Sequence, residues 1–302
     1  MNNISIKQNE AKQLERLSAQ RELYSSAKKY HAFQLFFVVL FPILLSFASI
    51  SCQNLVQYAA AYGIIIALVD LLFFDEKIKS RKNKAAKIQE LFDCDILQME
   101  ISPLKIIDEI TIEEILIHYD THKKIATNVE KTKNWYPKSV SDVPISIARV
   151  ICQRANCSWD SKLRERYIEN LKIFSILILV GIIIYSLFKN LKFMDFVLLG
   201  STLLPFFQFC IKQYLEQKDS IKRLDELLKY TNDLWNSIIN KSKNESQMTE
   251  ASRRLQDEIY EHRSKTPLIL DFFYNRLRNK NEDILIRTTN SLIDELKEKN
   301  VI

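Results

Sequence analysis

The chain has 302 residues, of which 47% are hydrophobic and 26% are charged, and its formal net charge is +6. Only 3 glycines and 6 prolines occur, too few for the tight turns of a β-rich or α/β protein, so we expect an almost entirely helical fold. No two glycines lie close together in the sequence, which excludes a glycine-rich phosphate-binding loop.

Residues 1–31 have the pattern of an amphipathic helix. Leu14, Leu17, Tyr24 and His31 recur at helical spacing, with lysines and arginines between them. This helix could pack on other helices, lie on a membrane surface or act as the linker of a gate, and we favour packing. So long a polar stretch before the first apolar run is unlike a signal peptide, so we expect that run to be a retained anchor.

Four segments are apolar and nearly free of charge: residues 32–50, 56–74, 171–188 and 193–211. A helix needs roughly 20 apolar residues to cross a hydrocarbon core about 30 Å thick, and each segment meets or approaches that length. Polar breaks at 51–55 and 189–192 divide the segments into two hairpins. The sequence therefore predicts an all-α integral membrane protein, with four transmembrane helices in two hairpins and a helical cytosolic domain.

Pro42 and Pro205 lie in the middle of the first and fourth apolar segments. Each removes a backbone N–H and favours a kink. The carbonyl that is freed must find a hydroxyl or a neighbouring helix as its partner. Polar residues near the kinks could line a water path or make ordinary hydrogen bonds between helices, and we favour the second interpretation.

Basic residues flank both hairpins on one side. They are Lys12, Arg16, Arg21, Lys28, Lys29, Lys77, Lys79, Arg81, Lys82, Lys84, Lys87, Lys162, Arg164, Arg166, Lys172, Lys212, Lys218, Lys222 and Arg223. The breaks at 51–55 and 189–192 contain no charge and two lysines, respectively. By the positive-inside rule, both termini and the middle segment face the cytosol.

This topology predicts five regions. A cytosolic amphipathic helix (1–31) precedes the first hairpin (32–74), a cytosolic helical segment (75–170) precedes the second hairpin (171–211), and a C-terminal cytosolic segment (212–302) packs against 75–170.

The sequence offers little for metal binding or catalysis. His118 and His122 have the spacing of a zinc-protease helix, but Tyr119 stands where such a site needs glutamate. The 5 cysteines form no C-x-x-C pair, and we interpret them as reduced thiols. No nucleophile–base pair or acid dyad has suitable spacing. We therefore expect no metal, no cofactor and no catalytic residue, that is, a protein that is not an enzyme.

One region interleaves aromatic, arginine and amide side chains, and it supplies our candidate ligand-binding residues. These are Trp135, Tyr136, Arg149, Gln153, Arg154, Trp159 and Arg164. Guanidinium groups pair with phosphate and aromatic rings stack on bases, so this mixture suits a small phosphorylated nucleotide. The alternative is a helix beside the membrane, with aromatic rings at the interface and arginines facing anionic lipid. Arg166 and Tyr167, together with Arg164, fit that alternative well.

Three stretches of the chain have a familiar pattern. They are residues 17–28 (LSAQRELYSSAK), residues 134–137 (NWYP) with the arginine- and tryptophan-containing run 148–167, and residues 255–263 (LQDEIYEHR) followed by Pro267. Their order around two apolar hairpins resembles the SMODS-associated four-transmembrane effector family of bacterial CBASS anti-phage defence. The resemblance extends over most of the chain.

The resemblance implies a function. In such systems a nucleotidyltransferase makes a cyclic oligonucleotide after infection, and the effector binds it and disrupts the inner membrane, which causes abortive infection. The implied partners are a cyclic di- or oligonucleotide, the lipid bilayer and further copies of the chain, but no DNA or RNA polymer. The residues alone also allow a membrane-anchored scaffold or sensor that recruits a cytosolic protein.

Overall fold

The computed structural model describes residues 1–302 apart from 43, 46, 47, 49–54, 103–109, 189, 191, 194, 195, 197–203 and 270. In this described part every regular element is a helix, which confirms the helical fold predicted from the sequence. The helices are α1 (Ile4–Lys7), α2 (Ala11–Gln34), α3 (Leu55–Val69), α4 (Asp75–Ile96), α5 (Ile112–Lys123), α6 (Ala126–Glu130), α7 (Ile145–Phe188), α8 (Leu204–Ile239), α9 (Glu245–Lys265) and α10 (Asp271–Glu298). A π-helical turn (Leu35–Leu40) continues α2, a second (Asp70–Phe74) joins α3 to α4, and a 3-10 turn covers Lys138–Asp142.

The helices outside the apolar segments pack into one unit, which we call the polar bundle (the described residues of 1–34, 75–170 and 212–302). Helix α2 packs on α4 and α5, α8 packs along α7, and α9 contacts both α4 and α7. The main apolar cluster contains Leu17, Phe92, Ile151, Leu224 and Leu255, each at most 2% exposed. These side chains come from five helices, so the core forms only when distant parts of the chain meet.

Helix α7 connects the polar bundle to an apolar segment without a break. It is a single helix of 44 residues, about 66 Å long at 1.5 Å per residue. Its first half contributes side chains to the bundle core, whereas its second half exposes large apolar side chains such as Ile176 (60%) and Phe188 (80%). An exposed apolar surface of this extent indicates contact with a membrane or with another protein.

Among the described residues, α7 is the one helix that is long and apolar enough to cross a membrane, and none of its 18-residue apolar window is buried. The predicted spans at 32–50 and 193–211 include residues outside the described part. Helix α3 has only 15 residues before its π-helical continuation. The arrangement of four spans therefore stays a prediction.

The kink predicted at Pro42 coincides with a change in helical geometry, because the π-helical turn Leu35–Leu40 ends two residues before this proline. Proline cannot donate to a carbonyl of the preceding turn. Tyr62 of α3 donates its hydroxyl to the carbonyl of Phe37 at 2.8 Å, so a neighbouring helix satisfies this carbonyl. The residues directly before Pro205 lie outside the described part.

Candidate functional site

Five polar side chains of α7 occupy one face of the helix. Arg149, Gln153, Asn156, Asp160 and Arg164 follow one another at intervals of three or four residues, the spacing that places side chains on one face. Arg149, Gln153 and Arg164 are at most 6% exposed. The face that suggested nucleotide binding in the sequence therefore lies mostly inside the polar bundle.

The centre of this interior is Asp93 of α4, which is fully buried. Its carboxylate accepts a hydrogen bond from the Tyr136 hydroxyl at 2.7 Å, from Nη1 of Arg263 at 2.6 Å and from Nε2 of Gln256 at 3.2 Å. Burial raises the pKa of Tyr136, and the Asp93 carboxylate raises it further. Burial alone lowers the pKa of Arg263, but Asp93 more than offsets that effect and the guanidinium stays charged.

A second buried carboxylate, Glu90, lies one turn away on the same helix. It accepts from Nη2 of Arg253 at 2.6 Å, from Nε2 of Gln256 at 2.8 Å and from the Cys94 thiol at 3.2 Å. Gln256 thus donates to both acids. Each carboxylate has its own guanidinium partner on α9, so α4 and α9 are joined by two ion pairs with little solvent access.

Helix α7 joins these acids through amide side chains. Gln153 donates from Nε2 to the carbonyl of Ser252 at 2.8 Å and to Oε1 of Gln256 at 3.1 Å. Asn156 donates from Nδ2 to the Tyr136 hydroxyl at 2.9 Å. We call the set Glu90, Asp93, Tyr136, Gln153, Asn156, Arg253, Gln256 and Arg263 the buried polar network.

Arg149 stabilises the end of α4. Its guanidinium donates to the carbonyl of Leu97 at 2.8 Å, to the carbonyl of Gln98 at 2.6 Å and to the Thr249 hydroxyl at 2.9 Å. A cation at the carboxyl end of a helix satisfies its last carbonyls and interacts favourably with its dipole. Arg149, one of the candidate ligand contacts, therefore serves as an internal helix cap in this structure.

Trp135 and Tyr136 pack inside the bundle. The guanidinium of Arg21 lies 5.4 Å from the centre of the Trp135 ring, an attractive cation–π arrangement. Tyr136 is 1% exposed, and the side-chain amide of Gln8 bonds to both its backbone N–H (2.8 Å) and its carbonyl (3.0 Å). The two aromatic residues thus anchor the N-terminus to the middle of the chain.

Arg154 and Trp159 are the candidates that reach the surface, where both line a cavity of about 80 Å³ between α7 and α10. Arg154 also donates to Asn232 of α8. Ligand pockets usually have volumes of about 300–1,000 Å³, so this cavity is too small for a cyclic dinucleotide. The seven candidates thus do not line one common surface, and their contact with a ligand stays a prediction.

Arg164 is the centre of a second buried cluster, nearer to the apolar segments. It donates from Nε to Asp160 at 3.0 Å, from Nη1 to Oε1 of Gln217 at 2.6 Å and from Nη2 to the Thr266 hydroxyl at 3.0 Å. His262 lies with Nε2 2.8 Å from the same Asp160 carboxylate. Burial favours the neutral acid, but Arg164 and His262 together hold the pKa of Asp160 well below its usual range.

Lys82 of α4 reaches the same place from the other side, and it is only 9% exposed. Its ammonium donates to the carbonyl of Thr266 at 3.0 Å. Burial lowers the pKa of Lys82 to about 8, and the charge of Arg164 acts in the same direction. Two cations from two helices therefore converge on Thr266, the residue that follows α9.

The two acids at the centre of this interior, Glu90 and Asp93, were not among the residues predicted from the sequence. Glu90 and Asp93 share a helical face with Ala86 and Leu97, both fully buried, and such a face should be apolar. The occurrence of charged residues on an otherwise apolar helical face was the feature of the sequence that indicated a buried polar network. Their partners Arg253 and Arg263 lie more than 150 positions away in the sequence, so the pairing itself was not predictable.

These clusters can couple helices, but they have no arrangement suited to acid–base chemistry. Each buried carboxylate is held by a guanidinium, and separating such a pair inside a protein is costly. The described residues hold no group of histidines, cysteines and acids that could bind a metal ion. The three stretches that suggested the family resemblance all contribute to this interior, from α2, α7 and α9.

Known proteins that are similar to this chain indicate its family. The model of the SMODS-associating 4TM effector domain matches residues 2–292. A probable CBASS effector molecule of Bacillus cereus (strain VD146) is 28% identical over 295 residues, which cover 93% of this chain and 95% of the relative. No solved structure matches the chain. The chain belongs to the SMODS-associating 4TM effector family, a family of CBASS effectors whose description indicates a membrane protein.

Proposed function

We propose that this protein is an anti-phage effector that binds a cyclic oligonucleotide through its polar bundle and then permeabilises the inner membrane of the bacterium. Family membership supports the effector role, and the CBASS effector among its relatives supports the setting in anti-phage defence. In this proposal the apolar segments form four membrane spans, with the polar bundle and both termini in the cytosol. The protein acts by changing its arrangement in the membrane and not by catalysing a reaction.

The observation that carries the proposal is the continuity of the helices. Helix α7 runs from Arg149 in the bundle interior to Phe188 at the far end of an apolar segment with no intervening loop. Helices α2 and α4 likewise continue as π-helical turns into apolar residues. A change in packing within the bundle therefore moves the membrane segments directly, because a helix transmits rotation and translation along its length.

Ligand binding must favour one packing arrangement over another. A ligand shifts an equilibrium only by its difference in affinity for the two states. About 5.5 kcal/mol of such preference turns a population that is 1% open into one that is 99% open. Four helices leave little room for a pore, so we propose that several chains assemble and that each binds ligand, which multiplies the available free energy.

The proposal is tested with purified protein in sealed phosphatidylcholine vesicles that contain a self-quenching dye. Cyclic di-AMP, cyclic di-GMP, 3′,3′-cyclic GMP–AMP and cyclic tri-AMP are added in turn, and both dye release and equilibrium binding are measured. We expect at least one of them to bind and to release dye, whereas its linear hydrolysis product does neither.

Two results count against the proposal in different ways. Binding without dye release would leave a sensor or scaffold, the alternative that the residues alone allow. Dye release that is independent of every cyclic nucleotide would mean that the protein is not controlled by this class of ligand.

A further inference from the structure

Lys82 is a buried cation with unused hydrogen-bond donors. It has three N–H groups, yet its ammonium bonds only to the Thr266 carbonyl, and no carboxylate of the described residues pairs with it. A buried ammonium whose partner is a neutral carbonyl is poorly compensated, because desolvation of the charge costs several kcal/mol. The charge of Lys82 is thus not neutralised by any residue that contacts it.

Gln217 of α8 adds an unused donor beside the two cations. Its Oε1 accepts from Arg164 at 2.6 Å, which places its amide group next to the guanidinium. Its Nε2 has no hydrogen-bond partner although the residue is 0% exposed. A buried N–H₂ group without an acceptor is uncommon in native structures and calls for an explanation.

The groups left without partners in this cluster favour an anion. Arg164 contacts Asp160, which His262 shares, and no carboxylate of the described residues contacts Lys82. Two further acids act on Lys82 from a distance: Glu216, whose side chain is 42% exposed and lies 3.9 Å from Lys212, and Asp75, whose side chain is 37% exposed and lies 3.5 Å from Lys79. The unused N–H groups of Lys82 and Gln217 can only donate.

We infer that Lys82, Arg164 and Gln217 form a phosphate-binding subsite that the carbonyl of Thr266 occupies in the resting protein. The donors come from α4, α7 and α8, and a phosphate group offers several acceptor oxygens and the anionic partner that Lys82 lacks. A metal ion does not fit, because three donors and two positive charges repel it. A phosphate that enters takes the place of the Thr266 carbonyl on Lys82.

This exchange would release the segment between α9 and α10. Thr266 is held by Lys82 and Arg164, and the carbonyl of Pro267 accepts from Arg164 at 3.1 Å. Ile269 packs on Leu163 and Tyr167 of α7 in a small apolar cluster of its own. Phosphate binding at Lys82 thus acts near the points at which α4, α7 and α8 pass from the bundle into the apolar segments.

Two sources can supply this phosphate: the cyclic oligonucleotide, in which case the inference rests on the proposed function, or the headgroup of an anionic lipid. The experiment separates them. The protein is placed in nanodiscs of phosphatidylcholine alone, and binding of radiolabelled cyclic di-AMP, cyclic di-GMP, 3′,3′-cyclic GMP–AMP and cyclic tri-AMP is measured for the parent, Lys82→Gln, Lys82→Arg and Lys79→Gln. Lys79 is the matched control, since it lies on the same helix with a side chain that is 69% exposed.

We expect Lys82→Gln to weaken nucleotide binding by roughly tenfold or more, because a charge-assisted bond to phosphate is lost. Lys82→Arg restores most of the affinity, and Lys79→Gln leaves it unchanged. Equal affinity of Lys82→Gln and the parent overturns the nucleotide form of the inference.

A second readout does not depend on the proposed function. Acylation of Lys82 at pH 8 is measured by peptide mass spectrometry. The reaction is run with sodium pyrophosphate or in phosphatidylglycerol nanodiscs, and the reference sample contains sodium chloride at equal ionic strength. Protection of Lys82 but not Lys79 by either probe supports the subsite, even if no cyclic nucleotide binds. Protection by phosphatidylglycerol alone assigns the lipid as the source. Absence of protection by both probes overturns the inference if nucleotide affinity is unchanged in Lys82→Gln or if no cyclic nucleotide binds the parent.

Discussion

Asp93 holds the guanidinium of Arg263 at 2.6 Å, and the carboxylate is fully buried. Replacing Asp93 by asparagine leaves a buried cation without its counter-ion. Loss of one partner from a buried pair costs about 3–5 kcal/mol. We therefore expect Asp93→Asn to lower the free energy of unfolding by about that amount, measured by denaturant unfolding in detergent with the tryptophan fluorescence as the signal.

The matched control for this change is Asp283→Asn. Asp283 also pairs with an arginine, Arg287, but its side chain is 63% exposed. Exposed pairs of this kind contribute little, so this variant should unfold like the parent. If Asp93→Asn were as stable as Asp283→Asn, the buried polar network would not hold α4 and α9 together.

Lys82 gives the stability a dependence on pH. Burial lowers its pKa from the ordinary value of 10.5 to about 8 in the folded protein. Arg164 and Lys79 lower the pKa further, and Glu216 and Asp75 raise it. Between those pH values the unfolded chain binds more protons, so stability rises with pH. From pH 7 to pH 9 we expect this residue to add about 1 kcal/mol to the free energy of unfolding.

The comparison with Lys82→Met isolates this contribution, since both proteins share the remaining titrating groups. Between pH 7 and pH 9, the free energy of unfolding of the parent should increase relative to that of Lys82→Met. A difference that stays constant would show that Lys82 is not desolvated.

At the scale of single residues, the sequence pointed to side chains that have structural roles in the bundle, but it did not predict those roles. Arg149 and Gln153 suggested a nucleotide contact because arginine, amide and aromatic residues are interleaved around them. In the structure Arg149 caps α4 and Gln153 bonds to α9. Internal networks and nucleotide sites use the same residue types, so the bonds to Leu97 and Ser252 were not predictable from the sequence, and nucleotide contact by these residues stays a prediction.

At the scale of elements, α7 is the most direct connection between the bundle and an apolar segment. Glu169 is an exposed residue of this helix, placed after the last buried bundle residue and before the apolar half. A proline there removes one helical hydrogen bond and kinks the helix. We expect Glu169→Pro to bind the cyclic nucleotide as the parent does but to release no more dye than vesicles without nucleotide.

Glu169→Ala is the control, because it removes the same carboxylate and keeps the helix intact. It should retain both binding and dye release. If Glu169→Pro released dye like the parent, transmission would not depend on the continuity of α7.

The helices themselves were predictable, since few glycines and prolines interrupt the chain and the apolar spacing is helical. The π-helical turns were not. The turn Leu35–Leu40 precedes Pro42, which the sequence marked as a kink, but the second turn, Asp70–Phe74, contains no proline. There the side chain of Gln34 donates to Asp70 at 2.7 Å, a contact between two turns that local sequence does not encode.

At the scale of the whole molecule, the proposal fixes the side of the membrane on which each part lies. Reporter fusions of alkaline phosphatase, which is active only in the periplasm, should be active when inserted in the breaks at 51–55 and 189–192. Fusions after residue 302 or within 124–134 should be inactive. Activity at the C-terminus, or inactivity at both breaks, would contradict the four-span topology.

At this scale the helical fold predicted from the sequence is confirmed. The division into two membrane hairpins and a cytosolic part, which rests on the segregation of apolar and charged residues into blocks, stays a prediction. The pairing of those blocks depends on contacts such as Glu90 with Arg253, separated by 163 positions. Those contacts join the middle of the chain to its C-terminal part and make the polar bundle a single unit.

The most direct test of the account uses vesicles in which all protein molecules face one way. Protein with an N-terminal protease site is reconstituted and the vesicles are sorted by whether external protease removes that terminus. We predict that an external cyclic nucleotide releases dye only from vesicles whose polar bundle faces outward. Equal release from both populations, or release only from vesicles with the bundle enclosed, would contradict the claim that the bundle receives the signal and the apolar segments open the membrane.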